Sequence, residues 1–159
     1  MALEKTLVIL KPDAVGRRLV GKIIARFEDK GLRLSAMRLT RISMATAEKH
    51  YAEHAGKPFY PGLTTFITSG PVVLMALEGR EAVAVVRKMI GKTNGREAEP
   101  GSVRGDYGVS RGFNLVHASD SAASAERELA LFFKDEDFMA PPEQEELRWN
   151  YEFGEGGPD

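Results

Sequence analysis

A chain of 159 residues and 17.5 kDa has room for about one domain, and 43% hydrophobic with 28% charged residues is too apolar a mixture for a disordered chain. The lack of cysteine excludes a disulfide scaffold, a thiolate zinc site and a cysteine nucleophile, and the longest clean apolar run, Val72–Leu77, is far short of the roughly 20 residues of a membrane helix. The net charge of −1 hides a division: residues 135–159 hold nine acidic side chains against Arg148, which leaves 21 basic and 14 acidic residues before them, a body of +7 and a tail of −8. A cationic body suits an anionic ligand where the cations converge. Met1–Lys5 runs into a strand-like segment without a signal-peptide core, so the expectation is a cytoplasmic domain that uses no membrane.

In chain order, Thr6–Lys11 is a continuous apolar run stopped by Pro12 and predicts a buried strand. Val20, Ile23, Ile24 and Phe27 recur at helical spacing, predicting a helix over 19–30 with Gly31 as its stop. Residues 32–42 alternate until the phase slips between Ala36 and Met37, which predicts an edge strand with a bulge. Helices are predicted over 45–55 and 61–68, a second buried strand over 71–77, and a helix over 82–90 closed by Gly91. Residues 92–112 contain five glycines, a proline and no period. So long a loop usually binds something or packs on a neighbour, and its Lys92, Arg96, Arg104 and Arg111 favour an anion. Phe113–Val116 predicts a third buried run, and Ser119-Asp120-Ser121 caps a helix carrying Ala125, Leu129, Phe132 and Phe133. The alternation of strands and helices predicts a sheet covered by helices, of either parallel or antiparallel topology.

Two histidine settings carry chemistry. His50-Tyr51-Ala52-Glu53-His54 fits the H-x-x-E-H zinc-peptidase pattern, provided that one helix holds both rings on one face; a further ligand is not identifiable. His117 stands at a strand end where the chain turns into a helix, a place where exposed N–H groups favour negative charge. Glu128, at the border of that helix's apolar stripe, is placed to hold the ring's tautomer and leave the other nitrogen free as a nucleophile. A nucleophilic histidine suits phosphoryl transfer, a reaction of positioning and charge stabilisation that needs cations; Lys11, Arg87 and Arg104 supply them from three separate segments. Neither a Walker A pattern nor a dinucleotide fingerprint occurs. A nucleic-acid-binding or regulatory sheet module is the rival from another class, although its strands would need aromatic residues that are absent here.

Asn114-Leu115-Val116-His117-Ala118-Ser119-Asp120-Ser121 resembles the N-x-x-H-[AG]-S-D-S signature of nucleoside diphosphate kinases. Thr6–Val15, Lys57-Pro58-Phe59-Tyr60, Ser69-Gly70-Pro71-Val72, Arg87–Gly91 and Pro100–Asp106 resemble further family segments in the same order, over roughly residues 4–152. The resemblance implies a ferredoxin-like α/β (α+β) sandwich with a four-stranded antiparallel sheet, a kinase domain over 1–152, and a disordered tail over 153–159. It implies that His117 takes the γ-phosphoryl group of ATP or another triphosphate on Nδ1, with Glu128 and Ser119 holding the ring, and passes it to a nucleoside diphosphate in ping-pong fashion. Lys11, Arg87, Thr93, Arg104 and Asn114 would contact phosphates and sugar, Phe59 would stack on the base beside Leu63, and Tyr51 would sit near Lys11 and the moving phosphate. Mg²⁺ would ride on the nucleotide, because no carboxylate cluster is present to cage it. Base stacking without edge reading implies broad nucleotide specificity. The resemblance also implies a homo-oligomer, a hexamer rather than a tetramer, with no requirement for nucleic acid. Two residues depart from the common pattern. Gly95 replaces a proline in the long loop, which is expected to loosen it, and Arg111 replaces a valine beside the base.

Overall fold

The computed structural model describes residues 3–152; the tail over 153–159 lies outside the described residues. Four strands, β1 (Glu4–Leu10), β2 (Arg33–Thr40), β3 (Val72–Gly79) and β4 (Val116–Ala118), form one sheet in the order β2-β3-β1-β4. Every pairing is antiparallel, which decides the topology that patterning left open and gives the ferredoxin-like sandwich. The helices are α1 (Pro12–Gly16), α2 (Val20–Asp29), α3 (Met44–His50), α4 (Tyr60–Ile67), α5 (Ala82–Ile90), α6 (Val103–Tyr107), α7 (Ala122–Phe132) and α8 (Gln144–Leu147).

β1 and β3 read as unbroken apolar runs because helices cover both faces of the sheet. Val8 and Leu10 join Ile23 and Phe27 of α2 and Val86 and Ile90 of α5 in one core, whereas Leu7 and Ile9 join Ala47, Ile67 and Leu129 in the other. Each fully buried aliphatic side chain contributes about 1.5–3 kcal/mol. Helices cover both faces of β1 and β3, and the sheet surface that stays exposed, on edge strand β2, offers Met37 and Leu39 but no aromatic residue for stacking, which counts against the binding-module alternative.

The predicted bulge exists on edge strand β2, one to two residues early. Leu34 pairs with Leu77 and Ala36 with Ala76, so Ser35 is the extra residue. That insertion turns Leu34 towards the α2 core and Ala36 towards the other, which is the phase slip seen in the sequence.

Several expectations change. Pro12 ends β1 but also occupies the first turn of α1, the helical position where a missing N–H costs nothing. The helix expected over 45–55 stops at His50, and Ala52–His54 form a separate 3₁₀ turn. The long loop is not structureless: Ser102 caps α6 by accepting the Gly105 N–H at 3.0 Å. Phe113–Val116 is not a strand, because Leu115 takes a left-handed φ of 73° and pairing begins only at Val116. The acidic C-terminal segment is docked as far as it is described: Tyr151 accepts the Arg80 N–H at 2.9 Å, and Arg33 donates to the Ala140 carbonyl at 2.9 Å.

Gly95 does not loosen its loop. It is buried, its N–H donates to the Ser110 carbonyl at 3.2 Å, and a Cβ there would stand 2.4 Å from the Gly108 oxygen. The residue therefore pins the start of the long loop against the end of α6. Gly95→Pro removes the donor and forces the backbones apart, so it is expected to destabilise the fold by about 1–3 kcal/mol. Urea unfolding followed by far-ultraviolet circular dichroism measures this; an unchanged midpoint contradicts it.

Candidate active site

His117 is the central residue of β4, not its end. It pairs across from Ile9 and so faces the same side of the sheet as α7. α7 begins where Ser121 accepts the Ser124 N–H at 3.1 Å, and about two turns of helix bring Glu128 over the strand. The Glu128 carboxylate takes His117 Nε2 at 2.8 Å and the Ser119 hydroxyl on its other oxygen. Ser119 is fully buried and does not reach the cavity; it fixes Glu128. Burial opposes charge on Glu128, yet the hydrogen bonds from His117 and Ser119 and the neighbouring rings hold its pKa below the ordinary value. A carboxylate on Nε2 leaves Nδ1 as the ring's free lone pair.

The approach to His117 is built by the turn before it. Leu115, left-handed and buried, receives the Lys11 N–H on its carbonyl at 2.9 Å and gives its own N–H to the Asp13 carboxylate at 3.0 Å. A non-glycine residue in this conformation costs of the order of 1–3 kcal/mol, so both ends must be held. The turn directs Asn114 towards Lys11: Lys11 Nζ donates to Asn114 Oδ1 at 2.7 Å, and Asn114 Nδ2 donates to the Thr93 carbonyl at 2.9 Å.

Arg104 rises from α6 into the same region and is buried. Its guanidinium donates to the carbonyls of Asn114 (3.1 Å), Gly91 (3.0 Å) and Val116 (2.6 Å), stapling the ends of the long loop to the His117 strand. Arg87, more exposed on α5, reaches the Ala118 carbonyl at 3.3 Å. Burial, and then the charge of Arg104, lower Lys11 to a pKa of about 8, while burial and Arg87 lower Arg104 to about 10. The cations repel one another in a half-desolvated space, an arrangement suited to receiving a polyanion.

These residues line one cavity of about 740 Å³. His117, Lys11, Asn114, Thr93, Arg87 and Arg104 form its polar end, with Tyr51, whose phenol burial raises to about 12, beside them. Phe59 and Leu63 stand at the apolar mouth, together with Arg111 and Phe113; Phe113 stacks on Phe66 with centroids 4.7 Å apart. Of the residues expected from the sequence, Ser119 lies behind the wall, and Lys92 and Arg96 of the long loop are exposed and do not line the cavity. A smaller cavity of about 370 Å³ between Arg33, Glu78, Glu146 and Tyr151 gathers no comparable set of cations.

The zinc-peptidase arrangement does not form. Because α3 ends at His50, the two rings do not share a helix face: His50 is buried beside His117, whereas His54 is half-exposed with Glu53 and Lys57 as neighbours. Burial first, and the His117 charge next, push His50 down to about 3, so its ring stays neutral. Asp13 and Phe66 gain roles that the sequence does not assign, and Asp120, expected only as part of a helix cap, also lines the cavity; Asp13 follows Lys11-Pro12 closely enough to be sought as a cap, but nothing local marks Phe66.

Comparison with known proteins places the chain in a family. The nucleoside diphosphate kinase family matches residues 4–138. The chain is 57% identical over 136 residues to a nucleoside diphosphate kinase of Rhodopirellula baltica, covering 86% of this chain and 90% of that protein. It is 51% identical over 150 residues to that of Archaeoglobus fulgidus, covering 94% and 99%. Among solved structures, the halophilic nucleoside diphosphate kinase of Halobacterium salinarum in complex with CDP superposes with a TM-score of 0.91 at 45% identity, covering 95% of this chain and all of that one. The chain belongs to the nucleoside diphosphate kinase family.

Proposed function

We propose that this chain transfers the γ-phosphoryl group of ATP or another nucleoside triphosphate to nucleoside diphosphates through a phosphohistidine on His117. The observation that carries the assignment of residues is the His117–Glu128 hydrogen bond at the cationic end of the cavity. With Nε2–H held by Glu128, Nδ1 attacks the γ-phosphorus: the N–P bond forms, the bond to the β-phosphate oxygen breaks, and a diphosphate leaves. The positive charge that develops on the ring is met by the carboxylate. A second diphosphate entering the same cavity reverses the sequence.

Lys11, Arg87 and Arg104 stabilise charge on the transferring oxygens, and Asn114 fixes Lys11. Thr93 borders the sugar and phosphates, and Tyr51 presses the site from the α3 side. Phe59 and Leu63, with Arg111 opposite, receive the base through its face, which supports broad base acceptance. Mg²⁺ belongs to this reading as an ion carried by the nucleotide, where it neutralises phosphate charge. The donor set agrees: among the described residues, the one cluster of potential metal ligands is rich in nitrogen and offers no oxygen cage. The same reading makes the protein cytoplasmic and homo-oligomeric, a hexamer in preference to a tetramer. Support for assembly comes from Met37 and Leu39, 56% and 67% exposed on the edge strand, and the solution mass, six times or four times 17.5 kDa, decides it.

Incubation with γ-labelled ATP and Mg²⁺ should yield acid-labile, base-stable label that chases onto purine and pyrimidine diphosphates at rates within about tenfold of one another. No label, or label that survives in His117→Ala, overturns the assignment.

Diphosphate affinity should depend on pH through Lys11. Below about 8 the free enzyme already carries this charge. Above it, the lysine is neutral until phosphate restores its ordinary preference, so binding takes up a proton and affinity falls by up to about tenfold per pH unit. Calorimetry in buffers of different ionisation enthalpy detects that proton. Lys11→Met should bind more weakly and show a flat profile between pH 8 and 9.5; an uptake that persists in this variant contradicts the role given to Lys11.

A further inference from the structure

His50 is the residue that the proposed transfer leaves idle. Its side chain is 1% exposed, and neither ring nitrogen finds a hydrogen-bond partner among the described residues. A buried polar group without a partner is expensive. The ring lies edge-on to His117, with centroids 4.6 Å apart, and its Nδ1 stands 3.7 Å from Glu128 Oε1, the oxygen that already faces His117 Nε2 at 2.8 Å. One ligand atom from each of His50, His117 and Glu128 therefore lies within 4.8 Å of the other two. Two imidazole nitrogens and one carboxylate oxygen at this spacing are the donor set of a three-residue transition-metal site, with the fourth position left to solvent from the cavity.

We propose that His50, His117 and Glu128 form a binding site for a borderline-soft divalent ion of the zinc type, and that its occupancy switches the phosphoryl acceptor off. Lys11 and Arg104 border the same cavity and repel any cation. That repulsion selects an ion which nitrogen binds strongly and rejects hard Mg²⁺ or Ca²⁺. The switch follows from the ring's single lone pair. In the transfer-competent tautomer Nε2 carries the proton and Nδ1 the lone pair. An ion on Nε2 displaces that proton, and the ring takes one up at Nδ1 through solvent, so no net proton is released and Nδ1 can no longer attack phosphorus. Binding rests on geometry alone; the loss of phosphoryl transfer rests also on the function proposed above.

Multiple-bond ¹H–¹⁵N spectra of the full chain with ¹⁵N-labelled histidine, titrated with Zn²⁺, separate these two parts. At one equivalent the His50 and His117 resonances should shift together, and His117 should change from an Nε2–H to an Nδ1–H pattern while His54 stays unmoved. Shifts confined to His54, or no saturation at one equivalent, overturn the site. His50→Gln, its fold checked by circular dichroism, should weaken Zn²⁺ binding at least tenfold; unchanged affinity also overturns it. In γ-labelled ATP with excess Mg²⁺, Zn²⁺-loaded enzyme should fail to form phosphoenzyme until a zinc-selective chelator is added. Undiminished labelling with the ion seated on His117 overturns the switch, whereas absence of label in zinc-free enzyme supplied with Mg²⁺ is a failure of the proposed function instead.

Discussion

The site depends on one short contact, the hydrogen bond between His117 Nε2 and Glu128. A histidine on a strand is mobile about two side-chain torsions and ambiguous in its tautomer; a carboxylate on one nitrogen removes both freedoms. Much of the fold can be seen as support for that contact. Antiparallel pairing with β1 sets which face His117 presents, Ser121 starts α7 at the phase that brings Glu128 over it, and Ser119 holds the second carboxylate oxygen. The acid is thereby committed on both oxygens, and the carboxylates that do act on the cations, Asp13 on Lys11 and Asp120 on Arg87, form no direct ion pair with them among the described residues.

Those cations come from segments far apart in the chain, and each is held by backbone carbonyls or an amide, not by a carboxylate. Arg104 is the fullest case, with three carbonyl acceptors from two segments. Carbonyl acceptors orient a guanidinium without cancelling its charge, whereas an ion pair would have spent the attraction that a phosphate needs.

The sequence made the cores and most elements legible because hydrophobic periodicity tracks burial directly. β1 and β3 were visible as continuous apolar runs since both faces are covered, and α2 and α5 were visible from their spacing. Short elements escaped. α1 and α6 have five residues each, too few to show a period, and Gly105 inside α6 resembles a loop residue. The Phe113–Val116 run misled for another reason: Leu115 is apolar and buried, but its left-handed backbone is a property that composition does not record. His117 and Glu128 could be paired from their places on successive elements, and Lys11, Arg87 and Arg104 could be suspected. That they face one space was a tertiary fact, carried in the sequence only by the family signature. His50 shows the opposite failure, since its local pattern with His54 suggested a partnership that the end of α3 breaks.

The crowding of Lys11 against Arg104 has a bearing on handling and on life in the cell. Two desolvated positive groups side by side penalise the empty fold, and any multivalent anion seated between them relieves that penalty by mass action. Heat resistance recorded in a phosphate or sulfate buffer therefore belongs to a partly occupied protein. Wherever nucleotides are abundant, the bare form would be the exception.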